Sequence, residues 1–431
     1  MFKQISAPIS ASWEVTSQCN FNCVHCYNYW RRGESEVISS HNQLNVYRKT
    51  VTELINNKVF SVVITGGEPL MVFEEIVPFI SELKKANIFV SINSNLSLLN
   101  DRIAEQISKL QIPVLTSISS DNPITNDKIT NHNNSLQKIM AGIKLARSYN
   151  IDVHVNMVVS KINIGDIFGV AAQLSELGIK VFSATKACKP LNCEDFSQYD
   201  ISIVEFNYMI NQLLKVQKEL ALSVNSLLPY PVCAFDDNDE AIKNFSTRSC
   251  SGGKMSCAIG YDGEIRPCTH SDEKYGNIMD GLKSAWQKMR VWRDDTYIPD
   301  DCNMCKIKYY CGWGCRIAGY AKYGSMKAVD PLYKAAAKPI SFPRTEEKLN
   351  ENISRYMVNP NIRFREEDFG GILYAKMSYV PVTVDLYQAI INKLGASQIS
   401  SCEIAQTLNV QLEDAKRTME YLHKNNIVVV K

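Results

Sequence analysis

Cys19–Asn28 reads CNFNCVHCYN, which sets cysteines at positions 19, 23 and 26 in the spacing Cys-x3-Cys-x2-Cys. The stretch follows directly on Ala11–Thr16, which reads as a strand, so the three thiols fall on the loop that leaves it. Three thiolates on one loop can grip three corners of a [4Fe–4S] cluster and leave the fourth iron without a protein ligand. An iron left open in this way can chelate an amine and a carboxylate. A three-cysteine zinc site completed by His25, inside the same motif, is the alternative that spacing alone leaves standing.

Outward from this loop, short β-rich runs alternate with amphipathic stretches to about residue 220. The predicted strands are Ala11–Thr16, Ser61–Thr65, Ile88–Asn93, Val114–Ser119, Val153–Val159 and Lys180–Ala184. Between them apolar residues recur at i, i+3, i+4 and i+7, as in Ile76, Phe79, Ile80 and Leu83, and again in Ile167, Val170, Ala171 and Leu174. Such alternation implies an α/β fold of parallel strands and right-handed crossovers, either a doubly wound sheet or a full or partial barrel. In each of these the site belongs at the C-terminal ends of the strands.

The second strand runs out into Thr65-Gly66-Gly67-Glu68-Pro69. With the cysteine loop and the aromatic Tyr27 just after its third cysteine, this resembles the signature of the radical S-adenosylmethionine (radical SAM) enzymes over roughly residues 9–220. The resemblance implies a partial (β/α)6 TIM-like barrel. It also implies that Cys19, Cys23 and Cys26 bind a [4Fe–4S] cluster whose open iron chelates S-adenosylmethionine. Backbone at Gly66 and Gly67, with Glu68 beside them, would approach the methionyl amine, which the missing Cβ atoms permit. Tyr27 would lie near the adenine, and Asn93 or Asn95 and Ser119 near the ribose or carboxylate. Asn93 and Asn95 also fit ordinary turn chemistry. Relatives often place a charged residue after the fourth strand to hold the carboxylate. Asn126–Asn131 (NDKITN) has no arginine, so Lys128 or a main-chain group would take that part. The implied chemistry is one-electron cleavage of the sulfonium, followed by hydrogen abstraction from a substrate by a 5′-deoxyadenosyl radical.

A second cysteine group reads Cys250-x6-Cys257-x5-Gly263-x4-Cys268, then Cys302-x2-Cys305-x5-Cys311-x3-Cys315. Taken alone, a Cys-x2-Cys pair with two further cysteines fits a zinc ribbon. In this chain the array is similar to the SPASM extension of peptide-modifying radical SAM enzymes, which holds auxiliary [4Fe–4S] clusters. That resemblance assigns Cys250, Cys257, Cys268 and Cys315 to one auxiliary cluster and Cys302, Cys305 and Cys311 to a second, so one or two are expected. An eighth cysteine, usual after this point in relatives, is missing: Asp330-Pro331 is followed by Leu332, and the next cysteine is Cys402. Asp330, water or substrate would then close the second cluster. Cys188 and Cys193 follow the sixth strand, near the expected mouth, where a structural part is the simpler reading.

Residues 225–250, with Pro229, Pro231 and the acidic run Asp236–Glu240, read as a linker, and Lys334–Arg344 as a second junction. The expected domains are therefore 1–230, a radical SAM partial barrel; 231–340, a Cys-rich iron–sulfur domain; and 341–431, a small winged-helix-like α+β domain. In the last, Ile362–Arg365 and Ile372–Lys376 flank Phe369-Gly370-Gly371 like hairpin arms. Ser400 and Glu403 have capping-box spacing, and Leu412, Ala415, Met419 and Leu422 line one helix face. Residues 346–431 carry ten basic against eleven acidic side chains, which argues against a DNA-binding winged helix. Arg365–Lys376 with its following helices instead resembles the leader-peptide-recognition (PqqD-like) domain of ribosomal-peptide pathways. Such domains take an extended peptide on a sheet edge.

Composition sets the outer limits. Lys+Arg 47 against Asp+Glu 45 is too balanced for a phosphate-gripping protein, and nucleic acid is not an expected partner. No apolar run reaches the roughly 18–20 residues that span a bilayer, and the N-terminus lacks a signal-peptide pattern, so a cytoplasmic protein without a membrane partner is expected. Fourteen cysteines, ten of them in two clusters, in a long chain, then favour metal over disulfides. The expected function is oxidative cross-linking (thioether or C–C) of a ribosomally made precursor peptide, with a low-potential electron donor such as flavodoxin or ferredoxin. Peptide decarboxylation or epimerisation, a sulfatase- or tetrapyrrole-type maturase, and a metal-dependent winged-helix regulator are the competing readings.

Overall fold

Strand-forming runs and helices with one apolar face build a single parallel sheet around which the rest of the chain is arranged. The computed structural model describes residues 5–28, 40–236, 238–335, 355–394 and 398–430. In order come β1 (Ser10–Glu14), α1 (Ser40–Asn56), β2 (Ser61–Thr65), α2 (Phe73–Lys85), β3 (Phe89–Asn93), α3 (Asp101–Lys109) and β4 (Val114–Ser117). They are followed by α4 (Pro123–Thr130), α5 (Ser135–Ser148), β5 (Val153–Val159), α6 (Ile167–Glu176), β6 (Val181–Lys186), α7 (Ile203–Leu220) and β7 (Ser223–Asn225). β1 to β7 lie side by side in sequence order, each pair parallel, as a TIM-like partial barrel requires. The helix faces read from the sequence are the buried ones: Ile76, Phe79, Ile80 and Leu83 of α2, and Ile167, Val170, Ala171 and Leu174 of α6.

The Cys-rich segment does not fold as a separate body. It comprises α8 (Asp239–Phe245), β8 (Ser256–Ile259), β9 (Glu264–Arg266), β10 (Gly276–Asn277), α9 (Leu282–Lys288), α10 (Lys308–Cys311) and α11 (Arg316–Tyr323). β8 pairs parallel to β1, and β9 and β10 continue antiparallel, giving a ten-stranded sheet in the order β10-β9-β8-β1-β2-β3-β4-β5-β6-β7. Ile259, Ile265 and Trp286 belong to the same apolar core as the barrel. The expected boundary at residue 230 therefore falls inside one core. The expected linker over residues 225–250 is likewise packed, with Ser226, Tyr230, Val232, Ala234 and Phe235 buried. Its polar and proline residues stop and start short elements: Pro231 precedes a one-turn helix over Val232–Ala234, and Asn238 caps α8.

A second apolar core forms after residue 355. Its elements are β11 (Arg355–Val358), β12 (Arg363–Glu367), β13 (Gly370–Ala375), β14 (Ser378–Thr383), α12 (Val384–Ile391), β15 (Ile399–Ser400), α13 (Ser401–Leu408), α14 (Leu412–Lys424) and β16 (Val428–Val430). They make two three-stranded antiparallel sheets, β15-β11-β16 and β12-β13-β14. The Ser400/Glu403 capping box forms where the sequence places it, and the β12–β13 hairpin forms with a tighter turn, since Gly370 and Gly371, inside β13, pair with Glu367 and Glu366. Ala415, Met419 and Leu422 are buried, whereas Leu412, at the first turn of α14, is exposed. Of the expected junction Lys334–Arg344, residues from 336 onward lie outside the described ones.

This last module is seated firmly on the barrel. β13 is buried on both faces: Leu373 and Ala375 point into the module's own core, while Ile372 and Tyr374 join the barrel's. Tyr374 stacks on Phe60 at 5.1 Å between ring centres. Arg365 donates to the carbonyls of Ala7 (2.7 Å) and Pro8 (2.9 Å), and Arg363 to those of Val59 (2.9 Å) and Phe60 (2.6 Å). These carbonyls immediately precede β1 and β2. The module thus covers the end of the barrel where its strands begin.

Candidate active site

At the opposite end, where the strands finish, lies a cavity of about 340 Å³. Cys19, Cys23 and Cys26 stand in its wall together with Tyr27 and Asn28. Thr65 from β2, Asn93 from β3, Ser117 from β4, Asn156 from β5 and Lys186 from β6 face the same space. Leu115, Val158, Leu227 and Leu228 make part of the lining apolar.

The cysteine loop is held on three sides. Gly67 N–H donates to the Thr16 carbonyl and Glu68 N–H to that of Gln18, both at 2.8 Å, clasping the exit of β1 to that of β2. A Cβ on Gly67 would sit 1.8 Å from the Gln18 oxygen, and one on Gly66, where φ is +132°, 2.5 Å from the Thr16 oxygen. The two glycines are thus demanded by the cysteine loop itself, quite apart from any ligand. Asn95 Nδ2 donates to Asn20 Oδ1 at 2.9 Å, and Asn20 Nδ2 to Ser97 Oγ at 2.8 Å, which tie the loop to the exit of β3. From the third side, the Ile129 and Thr130 carbonyls at the end of α4 accept from Val24 and Asn22. Phe21 N–H points at Cys19 Sγ at 3.4 Å, a contact that favours a thiolate there.

The structure places the other expected residues unevenly. Glu68 is buried and fully employed: its carboxylate accepts from Leu70 N–H (3.0 Å), Ser94 Oγ (2.7 Å) and Asn95 N–H (2.8 Å), so it braces β2 against β3. Burial raises its pKa, and those three hydrogen bonds oppose the rise. Ser119 does not stand in the cavity wall. Its N–H donates to Asn126 Oδ1 and its carbonyl accepts from Asn163, because β4 ends at Ser117 and the chain has already turned away. Lys128 faces a polar surface depression beside His132 and Lys138 instead. Among the described lining residues the positive side chain is Lys186, whose Nζ bonds to Asp200 (2.5 Å) and the Ala187 carbonyl (3.1 Å).

Among the lining residues that the sequence reading did not nominate are His270, Lys186 and Asn28. His270 comes from the Cys-rich segment and stacks on Tyr27 at 4.2 Å, with 10° between the rings. Burial lowers the pKa of His270 to about 4, as it does for His25, so both rings are neutral near pH 7. Burial, reinforced by Cys26 and Glu14, lifts the Tyr27 phenol to about 12. A buried pair between Arg266 and Glu14 fixes the strand that delivers His270, and Arg266 also holds the Ser271 carbonyl at 2.9 Å. Lys186 lies just past the predicted strand end, and Asn28 closes the quoted motif.

None of the fourteen cysteines is in a disulfide. Among the described residues no three His, Cys, Asp or Glu side chains are drawn together as closely as the ligands of one metal ion. Cys250, Cys268 and Cys315 lie within electrostatic range of one another, and so do Cys302, Cys305 and Cys311. Cys257 stands apart on β8, beside Ala11 in the apolar core, where burial alone pushes its thiol up to about 12. Asp330 is committed elsewhere: one oxygen accepts from Cys315 N–H (2.8 Å) and the other from Leu332 N–H (2.9 Å). Cys188 reaches the large cavity's wall; Cys193 does not line it.

Residues 13–173, from β1 into α6, match the radical SAM superfamily. An AdoMet-dependent heme synthase from Methanosarcina barkeri is 25% identical over 363 residues, covering 78% of this chain and 100% of that one. The subtilosin biosynthesis protein AlbA of Bacillus subtilis is 25% identical over 328 residues, 72% of this chain and 68% of AlbA. An uncharacterised Methanocaldococcus jannaschii protein, MJ0907, reaches 30% over 208 residues, 46% of this chain and 69% of its own. In fold, anSMEcpe with bound AdoMet superposes with a TM-score of 0.60 at 18% identity, over 75% of this chain and 94% of that one. Streptococcus suis SuiB bound to its precursor peptide SuiA gives 0.57 at 16%, over 78% and 76%. The chain belongs to the radical SAM superfamily and is one of its enzymes.

Proposed function

We propose that this enzyme modifies a ribosomally synthesised precursor peptide, binding its leader through residues 355–430 and its core in the thiol-lined cavity. The observation that carries the reading is the C-terminal module. It is a compact α+β unit whose two three-stranded sheets, among the described residues, each have two edge strands, the feature that strand addition uses. AlbA is named for bacteriocin biosynthesis, and SuiB was solved with a precursor peptide, both in keeping with this substrate class. The module's seat also weighs against a DNA-binding role, since Arg363 and Arg365 are occupied by barrel carbonyls.

A radical SAM enzyme carries a [4Fe–4S] cluster with S-adenosylmethionine, and the wall fits them. Cys19, Cys23 and Cys26 supply three thiolates, and Asn28 Oδ1 is buried without a partner among the described residues, ready for a ligand donor. Tyr27 and His270 offer an aromatic stack beside the thiols, Asn93 a polar side chain, and Lys186 a charge for the methionyl carboxylate. When bound, this pair supplies homolytic cleavage and hydrogen abstraction. The chain's own residues orient the methionyl group, and the apolar side of the cavity excludes water from the substrate. Auxiliary [4Fe–4S] clusters in the Cys-rich segment suit an oxidative outcome, so thioether or C–C cross-linking is the proposed reaction, fed by flavodoxin or ferredoxin in the cytoplasm. Among the described residues no helix is long and apolar enough to cross a membrane.

A tetrapyrrole substrate is the second reading, favoured by the match along the whole of the heme synthase. That match leaves about a fifth of this chain outside it, in keeping with an added module. Deuterium transfer separates the two. With S-adenosylmethionine and a reductant, full-length enzyme should move deuterium from a Cα/Cβ-deuterated precursor peptide into 5′-deoxyadenosine. Transfer only from a deuterated tetrapyrrole would reject the peptide reading.

A further inference from the structure

We infer that each auxiliary site takes one of its four thiolates from the barrel: Cys188, after β6, completes the first and Cys233, after β7, the second. The inference rests on the auxiliary clusters proposed above and changes their ligand sets. In the first group, Cys315 lies within electrostatic range of Cys250 and Cys268 and hydrogen-bonds Cys188. Cys188 and Cys315 also line one small cavity, next to the large one. Cys257, which the SPASM resemblance assigns to this cluster, pairs with Ala11 on β8 and is buried in the barrel's core.

The second group lacks a fourth thiol only along the sequence. Cys233 lies in the turn Val232–Ala234, against Cys311 and Cys302. Val232 N–H donates to Cys311 Sγ at 3.3 Å, which brings that turn directly onto the Cys302/Cys305/Cys311 group. Asp330, the nominee by spacing, has both oxygens engaged by backbone N–H groups.

The segment joining the two groups is built for an anionic neighbour. Gly312, Trp313 and Gly314 all have positive φ, folding Cys311 and Cys315 tightly apart. Trp313 Nε1 and Arg316 Nε are buried there without an acceptor among the described residues. Arg316, almost fully buried, sits within electrostatic range of both Cys250 and Cys302. Cluster sulfides between four thiolates are acceptors of the right charge for both donors.

The test uses full-length protein in which Cys19, Cys23 and Cys26 are alanine, reconstituted anaerobically with iron and sulfide. This background should hold about eight irons in two four-iron clusters. Adding Cys188→Ala or Cys233→Ala should each remove about one to four irons and yield a three-iron electron-paramagnetic signal or the loss of one cluster signal. Adding Cys257→Ala or Asp330→Asn should leave iron and spectra unchanged. Because alanine could also unfold the region, Cys188→Ser and Cys233→Ser are measured too. They should retain the fold by circular dichroism and alter one cluster's spectrum each. Unchanged iron and spectra in the Cys188 and Cys233 variants, or loss in Cys257→Ala or Asp330→Asn, overturns the assignment. A background without iron overturns the auxiliary-cluster reading itself, and the assignment with it.

Discussion

Removing the Arg365 guanidinium should undock the C-terminal module while leaving the barrel's sheet intact. Arg365 donates to Glu367 (2.7 Å) and to the carbonyls of Ala7 (2.7 Å), Pro8 (2.9 Å) and Asn57 (3.3 Å). The side chains of Arg365 and Glu367 are only 5% and 0% exposed, so Arg365→Ala strands a buried carboxylate and several carbonyls. Breaking one partner out of such a pair costs roughly 3–5 kcal/mol. At tenfold per 1.4 kcal/mol, the docking equilibrium should fall by roughly 140- to 3,700-fold. Glu367 keeps its bond from Ser6 N–H, which places the effect toward the lower end. Hydrogen exchange on the full chain reads this directly. Amides of β12 and β13 should exchange about 100-fold faster or more, while those of β4 and β5 stay as they are. Adding Glu367→Ala should recover more than about 1 kcal/mol, since the orphaned charge is then gone. Exchange in Arg365→Ala within threefold of wild type would show that the interface does not depend on this pair.

Three further outcomes follow from the same geometry. Gly67→Ala, with its Cβ driven into the Gln18 carbonyl, should lower reconstituted iron by about four per chain, whereas Gly165→Ala, with nothing within 4 Å, should not. Lys186→Met should raise KM for S-adenosylmethionine roughly ten- to hundredfold, the worth of a charged hydrogen bond, in a cleavage assay; an unchanged KM removes Lys186 from that role. Burial pushes Asp127 up, but hydrogen bonds from Ser135 and Asn134 outweigh it and hold its pKa below the usual 3.8. Its contribution is therefore complete above that value and lost as pH falls through the lower folded-state pKa. Urea unfolding should find Asp127→Asn less stable than wild type at pH 7, with the gap closing below about pH 4.

The barrel was legible because its determinants are local. Ser61–Thr65 and Val153–Val159 form just as read, since each is a short apolar run bounded by turn residues. The cysteine loop and the Gly66-Gly67 pair were legible as motifs through a family resemblance, whereas the interlock of the two strand exits came only with the structure. What escaped depends on pairing across long stretches of chain. Nothing local shows that β8, more than two hundred residues away, docks beside β1, or that His270 then stacks on Tyr27. For the same reason spacing does not show that Cys257, paired with Ala11 on β8, is buried in the barrel's core. In β13, Gly370–Ala375 reads as an unbroken apolar run, and only the docked barrel explains why neither face is polar.

The module rests where β1 and β2 start, and the cavity opens where they end. A precursor gripped at one end must therefore travel the height of the barrel before it can be touched at the other. Five-residue strands account for about 17 Å of that path, and clearing the helical layer adds on the order of 10 Å on the way out and again on the way in. An extended chain spans this in roughly 11 residues. The separation would act as a ruler, sparing every side chain within about that distance of the grip. The first modifiable position would then be set by the barrel's height, and the leader's length tuned to match it.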